Sequence, residues 1–248
     1  VDTKICLAEG LIGQETSGPV GFAKAMRTIP VMLEICRDLR THAPGAFLIN
    51  FTNPAGIITE AVLKHGGVKA IGLCNVPFGM QAAVAEECGT VPEEVELDYV
   101  GLNHLAWVRR IYVKGQDRTE ELLAKGWGKP ANIPELAWNS DFQRALAMKA
   151  NSYLDYFYLQ DEMLARLQAQ PKTRAEVVME IETALLEQYK NPELRSKPKE
   201  LEKRGGAHYS TVAVSLIRDI CLNSGRKHIV NVRNSGALPE LPPEAVIE

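Results

Sequence analysis

The stretch AFLINFTNPAG, residues 46–56, decides the fold. Residues 46–51 form a largely apolar run that is typical of a buried strand, and the Asn-Pro-Ala-Gly that follows predicts an immediate turn. Helical periodicity continues over residues 57–64, and a second apolar run spans residues 70–74. Because parallel strands need a crossover connection, we predict two neighbouring parallel strands joined by a helix.

The same alternation extends on both sides of this unit. Apolar residues at helical spacing predict one helix over residues 20–40 and another over residues 78–88. Strands that alternate with helices indicate an α/β fold with a parallel sheet. Ligands bind such sheets at the carboxyl ends of the strands.

The pattern changes from residue 94. Strands over residues 96–99 and 105–113, closed by a turn at 114–117, predict an antiparallel ribbon. Helices predominate after it, so the second part is expected to be α+β. We expect helices over 140–167, 174–189 and 211–222, a mobile loop over 191–204 and a short strand over 228–232.

Composition excludes several classes of function. The 248 residues carry a formal net charge of -3 with no long basic run, which argues against a nucleic-acid partner. No apolar stretch reaches the roughly 18 residues that cross a bilayer, so no membrane partner is expected. Five cysteines, an odd number spread along the chain, indicate free thiols in a reducing compartment. We therefore expect a cytoplasmic protein.

Cys74 and His104 are candidate metal ligands. Cys74 ends the second predicted strand, and His104 follows in the sequence Gly-Leu-Asn-His. A thiolate and an imidazole can share one divalent transition-metal ion and leave positions open for substrate oxygens. A cysteine on an apolar strand is more often a core residue, however, and spacing alone leaves both interpretations open.

Asn53 and a group of tyrosines are further candidates. Asn53 lies where the first strand ends, so its amide could bind a sugar or ribose hydroxyl, or it could simply form the turn. Tyr153 and Tyr156 share one face of a predicted helix, while Tyr158 points elsewhere. Aromatic residues at this spacing are usually core, and a catalytic phenol would need a metal or cation nearby.

Two arginines could bind a phosphate ester. Arg204 lies in Lys-Arg-Gly-Gly, and Arg233 lies in Asn-Val-Arg-Asn. Guanidinium groups match phosphate geometry well, although solvated surface charge is the alternative interpretation. No G-x-G-x-x-G loop, Walker loop, C-x-x-C pair or nucleophile elbow occurs in the sequence.

Five motifs occur together in an order that carries a family resemblance. They are GLIGQET at 10–16, NFTNP at 50–54, GLCNVP at 72–77, GLNH at 101–104 and KRGG at 203–206. With them the chain resembles, over its whole length, the NAD-dependent family 4 glycosidases, and among these the members that act on 6-phospho-β-glucosides. The resemblance implies that residues 1–92 are the C-terminal part of a Rossmann-type nucleotide-binding domain. It implies that residues 93–248 form an α+β catalytic and oligomerisation domain like that of lactate and malate dehydrogenases.

The resemblance also implies a mechanism without the usual pair of catalytic carboxylates. NAD+ would oxidise the sugar at C3, and Mn2+ or another divalent transition metal, held by Cys74 and His104, would stabilise the enolate that forms when Tyr153 removes the C2 proton. Tyr156 is the alternative base. Elimination, addition of water and return of the hydride would complete hydrolysis without net consumption of NAD.

Substrate contacts follow from the same resemblance. Asn53 and Asn75 would contact the sugar, and Asn rather than Asp at position 75 favours a β-linked substrate. Arg204 and Arg233 would approach the 6-phosphate. The expected partners are a phosphorylated β-glucoside and further copies of the chain in a homodimer or homotetramer.

Two features depart from the family pattern. The glycine-rich loop of the first βαβ unit is absent, so no NAD-binding residue can be named, and the region that would follow Glu248 is also absent. We therefore expect an internal fragment that carries metal and sugar residues. Two alternatives remain: a 2-hydroxy-acid dehydrogenase, which would need a catalytic His with a carboxylate partner instead of Cys74, and a non-catalytic sugar-phosphate-binding remnant.

Overall fold

The first part of the molecule contains a parallel strand pair with helices around it. The computed structural model describes residues 1–14, 16–125, 140–205 and 208–248. Its first elements are helix α1, Asp2–Ala8; helix α2, Gly18–His42; strand β1, Phe47–Asn50; helix α3, Ala55–Ala61; a π-helical turn, Val62–Gly66; strand β2, Lys69–Gly72; and helix α4, Val76–Glu87.

Strands β1 and β2 run parallel, with Ile49 opposite Ile71, and α3 with its π-helical extension forms the crossover. The predicted α/β arrangement of this part is confirmed. Cys36 of α2, Ile58 of α3 and Val62 pack together with no solvent exposure. Full burial of an aliphatic side chain of this size stabilises the fold by about 1.5–3 kcal/mol, so this contact fixes α2 and α3 on the sheet.

An antiparallel sheet follows. It contains strands β3, Val95–Leu102; β4, Leu105–Val113; and β5, Gln116–Asp117, and the next helix is α5, Thr119–Lys125. The predicted ribbon is confirmed, but the position of its turn was wrong. The long hairpin of β3 and β4 closes at residues 103–104, whereas Lys114 and Gly115 connect β4 to the two-residue β5. His104 is therefore a hairpin turn residue.

The predicted long helix over residues 140–167 is wrong. Its region contains helix α6, Ser140–Leu146; strand β6, Lys149–Ala150; a 3₁₀ turn, Ser152–Leu154; helix α7, Asp155–Tyr158; and helix α8, Gln160–Gln168. Lys149 and Ala150 pair with Val108 and Trp107 of β4. Pairing with the free edge of β4 thus outweighs the helix propensity of these residues and interrupts the helix.

The remaining elements mostly follow the predicted pattern. They are helix α9, Arg174–Tyr189; helix α10, Glu200–Arg204; helix α11, Tyr209–Leu222; strand β7, Val232–Arg233; and strand β8, Val246–Ile247. The loop predicted over 191–204 ends in α10, and the strand predicted over 228–232 is shorter and shifted to β7, where it pairs with β8. In the described part of the chain, no helix has the length and apolar character to cross a membrane.

Backbone hydrogen bonds hold the C-terminal segment against the ends of β2 and β3. The backbone N–H of Gly72 donates to the carbonyl of Asn231 at 3.0 Å, and the N–H of Asn231 donates to the carbonyl of Gly72 at 2.7 Å. The N–H of Glu248 donates to the carbonyl of Gly101 in β3 at 3.0 Å. As a result, the carboxyl end of β2, the β3–β4 turn and the C-terminal segment converge.

Candidate active site

Cys74 lies at this point of convergence, between β2 and α4. Its side chain is 8% exposed, and the backbone N–H of Val76 donates to Sγ at 3.4 Å. Burial, together with the negative charge of Glu248, raises the pKa of the Cys74 thiol to about 12. A cation that replaces the thiol proton would compensate for this, because metal ions bind the thiolate form.

His104 faces Cys74 from the β3–β4 turn. Its backbone has a φ of 65°, and its ring is buried at 7% exposure. The His104 Nε2 atom lies 3.4 Å from the Cys74 Sγ atom. Burial lowers the pKa of His104 to about 4, so the imidazole is neutral at physiological pH, which is the form that binds metals.

The two side chains fit one metal ion. Metal–sulfur and metal–nitrogen bonds of about 2.3 and 2.1 Å that meet at roughly 90–110° separate the two donor atoms by about 3.1–3.6 Å. The observed 3.4 Å lies within this range. Among the described residues, no group of three or more His, Cys, Asp and Glu side chains could hold an ion. Two protein ligands would leave the other coordination positions open to substrate.

Tyr153 lies against one face of the His104 imidazole. The Tyr153 and His104 rings are stacked, with centroids 3.7 Å apart and planes 4° from parallel. The Asn151 side chain fixes this turn, because its Oδ1 accepts from the Tyr153 N–H at 2.9 Å and its Nδ2 donates to the Tyr99 hydroxyl at 2.6 Å. The structure thus brings the predicted base to the predicted metal ligands.

The other tyrosines lie further out. The Tyr156 ring is tilted against the Tyr153 ring with centroids 5.9 Å apart, so the two are neighbours although no continuous helix connects them. Tyr158 contacts Trp107 edge to face at 6.1 Å and belongs to a different environment. The prediction that Tyr158 points away from the other two agrees with this geometry.

The predicted asparagines lie at the carboxyl ends of the two parallel strands. Asn53 follows β1, and its Oδ1 accepts from the Ala55 N–H at 3.3 Å, so it forms the turn that was the simpler interpretation. Asn75 is half-buried, follows Cys74 directly and is the N-cap residue of α4. Their contacts with a sugar remain predictions.

The predicted arginines have other partners. The Arg204 guanidinium donates to Glu182 of α9 through Nε at 3.0 Å and through Nη2 at 2.5 Å. The Arg233 guanidinium donates to the backbone carbonyl of Leu63. Each group thus already donates to a protein acceptor, and a phosphate would have to use its remaining N–H groups.

A buried carboxylate beside the proposed ligands Cys74 and His104 was not predicted from the sequence. Glu248 is 8% exposed, and its carboxylate accepts from Asn103 Nδ2 at 3.3 Å and from Asn231 Nδ2 at 3.2 Å. Burial raises the pKa of Glu248 to about 7. Asn103 and Asn231 both belong to motifs noted above, whereas nothing in the local sequence marks Glu248.

Thr16 was also missed. Its hydroxyl oxygen lies 3.2 Å from Nδ1 of His104, on the side of the ring away from Cys74. Thr16 is part of the GLIGQET motif, which is the signal that could have identified it.

Comparisons with known proteins agree with this geometry. Residues 1–90 match the family description "Family 4 glycosyl hydrolase", and residues 99–248 match "Family 4 glycosyl hydrolase C-terminal domain". The chain is 42% identical to a probable 6-phospho-beta-glucosidase of Bacillus subtilis and 40% identical to a 6-phospho-beta-glucosidase of Escherichia coli. Each alignment covers 100% of this chain and 58% of the relative.

A solved structure gives the same result. The 6-phospho-beta glucosidase of Thermotoga maritima, in the form with manganese, NAD+ and glucose-6-phosphate, matches with a TM-score of 0.87 and 38% identity, over 100% of this chain and 58% of that one. The chain therefore spans somewhat more than half the length of these relatives. The fold class, part of a Rossmann-type sheet followed by an α+β region, is that of the family. This chain belongs to family 4 of the glycosyl hydrolases.

Proposed function

We propose that the protein hydrolyses 6-phospho-β-glucosides and that it depends on NAD and on a divalent metal ion, manganese or another transition metal. The observation that supports this most directly is the 3.4 Å separation of Cys74 Sγ and His104 Nε2 with Tyr153 stacked on the imidazole. The higher identity to β-glucosidases, 40–42%, than to a maltose-6'-phosphate glucosidase, 30%, favours a β-linked substrate.

Cys74 and His104 would hold the metal. When bound, the metal supplies a Lewis acid for the C2 and C3 oxygens of the sugar, and NAD supplies a hydride acceptor for C3. The NAD-binding residues stay unassigned, because the sequence has no glycine-rich loop of the dinucleotide type that would mark the pyrophosphate site. We assign no NAD contact to this chain.

The residues of this chain act on the proton and on the position of the sugar. Tyr153 removes the C2 proton, and Tyr156, its ring neighbour, is the alternative base. Asn75 and Asn53 contact the sugar hydroxyls from the carboxyl ends of the two parallel strands. Arg204 and Arg233 are the proposed phosphate contacts.

The proposed biological setting is a cytoplasmic homodimer or homotetramer that acts on a phosphorylated β-glucoside. The proposed domain boundary lies at residues 92–93, which separates the parallel strand pair from the antiparallel sheet. Cys74 and His104 come from opposite sides of this boundary.

A chromogenic 6-phospho-β-glucoside tests the proposal. Turnover is measured with and without NAD+, Mn2+ and a reductant, on this chain and on a version extended by a dinucleotide-binding segment of a relative. We expect the extended version to require both NAD+ and Mn2+. Equal hydrolysis without NAD+ would refute the mechanism, and substrate binding without any turnover would favour a non-catalytic protein.

A further inference from the structure

We propose that Thr16 and Gln14 are positioning residues that hold the His104 imidazole as its Nδ1–H tautomer, so that the Nε2 lone pair faces Cys74. This inference rests on the proposed role of His104 as a metal ligand. It adds Gln14 and Thr16, which lie near the start of the sequence, to the residues around the proposed metal site.

The direction of the hydrogen bonds at Gln14 can be assigned first. The backbone N–H of Thr16 can only donate, and it contacts the same Gln14 side-chain atom as the Thr16 hydroxyl does at 2.7 Å. That atom must therefore be the amide oxygen, Oε1. Because Oε1 has no proton, the Thr16 hydroxyl is the donor in this second contact.

The direction at His104 then follows. A hydroxyl has a single proton, and the proton of Thr16 is used toward Gln14. At the 3.2 Å contact, Oγ1 of Thr16 can offer only a lone pair to Nδ1 of His104. Nδ1 must carry the proton, and a neutral imidazole with a proton on Nδ1 has its lone pair on Nε2, which is the atom that faces Cys74.

Burial of these three residues favours the Nδ1–H tautomer of His104 over the other tautomer. Gln14, Thr16 and His104 are 8%, 7% and 7% exposed, so water cannot readily replace any one of the contacts. The opposite tautomer would set the lone pair of Nδ1 against that of Oγ1. Stacking on Tyr153 restricts rotation of the His104 ring, so the ring cannot readily turn to relieve this repulsion.

The tautomer is measured on the metal-free chain from the ring ¹⁵N resonances of His104. We expect Nδ1–H in the wild-type chain. Thr16→Val, which keeps the shape but removes the acceptor, should shift the population toward Nε2–H, and Thr16→Ser should restore Nδ1–H. Gln14→Met removes the acceptor for the hydroxyl, which can then donate to Nδ1, so it should shift the population in the same direction even if Thr16→Val fails to fold.

Metal affinity provides the second measurement. In a Co2+ titration that follows the thiolate-to-metal absorption band, Thr16→Val and Gln14→Met should weaken binding by about 10–100-fold, as loss of an outer contact to a metal-bound histidine does. Thr28→Val is the matched control, because the Thr28 hydroxyl donates to the Lys24 carbonyl of its own helix, away from His104.

The outcomes separate this inference from the proposed function. Unchanged His104 resonances in both variants, or affinity within twofold of wild type, would overturn the roles of Thr16 and Gln14. A wild-type chain that never develops the thiolate band would instead overturn the metal site itself. In that case the resonances of the metal-free chain still decide the tautomer.

Discussion

The imidazole of His104 lies flat against the phenol ring of Tyr153, 3.7 Å from centroid to centroid. A proposed metal ligand and a proposed base therefore share one contact surface. The stack fixes the direction of the Tyr153 side chain relative to the His104 ring, and a proton transfer beside the proposed metal site would require such positioning.

Removal of the Tyr153 hydroxyl should separate binding from chemistry. Tyr153→Phe keeps the ring stack, so Co2+ or Mn2+ affinity should stay within about twofold, while C2 proton exchange with solvent should fall by about 10²–10⁴-fold in the extended, NAD-binding protein. Deuterium incorporation at C2 measures the exchange. Tyr156→Phe is the control, and a larger loss in that variant would reverse the two assignments.

Metal binding should release one proton per ion from the Cys74–His104 pair between pH 5 and 8. The pKa of His104, lowered to about 4, leaves the imidazole unprotonated throughout this range, and the pKa of Cys74, raised to about 12, leaves the thiol protonated until metal displaces its proton. Affinity should therefore rise about tenfold for each pH unit.

Co2+ titrations at several pH values, with a pH indicator dye to count protons, test this expectation. The Glu248→Gln variant is used for the count, because the nearby Glu248 carboxyl, whose pKa is raised to about 7, would release protons of its own in this range. Cys74→Ser should abolish the thiolate band. Release of two protons per ion near pH 5 would mean that His104 is also protonated in the metal-free chain.

Glu248 should make the metal-free chain less stable as pH rises. Its folded pKa of about 7 lies above the ordinary 4.5, so the folded state binds the proton more tightly than the unfolded state does. The contribution of this proton to the free energy of unfolding is fully present below about pH 4.5. It is lost as the pH rises through 7, a change on the order of 3 kcal/mol.

Glu248→Gln should flatten this dependence, because the amide oxygen still accepts hydrogen bonds and carries no charge. Urea unfolding at pH 5 and pH 8 provides the comparison, with Glu60→Gln at an exposed position as the control. An equal pH slope in Glu248→Gln and wild type would contradict the expectation.

Gly72→Ala should disturb both the fold and the proposed metal site. A Cβ at this position would clash with the side chains of Thr59 in α3 and of Asn231, so one of these two segments would have to shift. Overpacking of this kind costs about 1–3 kcal/mol. Denaturant unfolding and Co2+ titration should both change, whereas Gly45→Ala, which meets no atom within 4 Å, should change neither.

Local sequence identified the elements whose determinants are local. The apolar runs before Asn53 and at Cys74 predicted the parallel strands because a buried strand needs a continuous apolar run. The turn at His104 was missed because Asn-His carries no glycine or proline signal, and because a left-handed backbone, here with a φ of 65°, is uncommon for a residue other than glycine.

The rest of the site depends on contacts between distant parts of the chain. Glu248 meets Asn103 from 145 positions away, and His104 meets Thr16 from 88 positions away. The partner of Arg204 is Glu182, a pairing that becomes visible only when α9 and α10 are packed together. No pattern within one helix or strand contains this information.

The site straddles the gap between the two matched family segments, since Cys74 and Thr16 precede residue 90 and His104 and Tyr153 follow residue 99. If the polypeptide were cut in this interval, each piece would keep one of the two proposed metal ligands. If the two pieces, expressed separately, reassembled, the absorption of a Co2+–thiolate complex would return. Reassembly would have to form again the backbone hydrogen bonds between Gly72 and Asn231, which belong to different pieces.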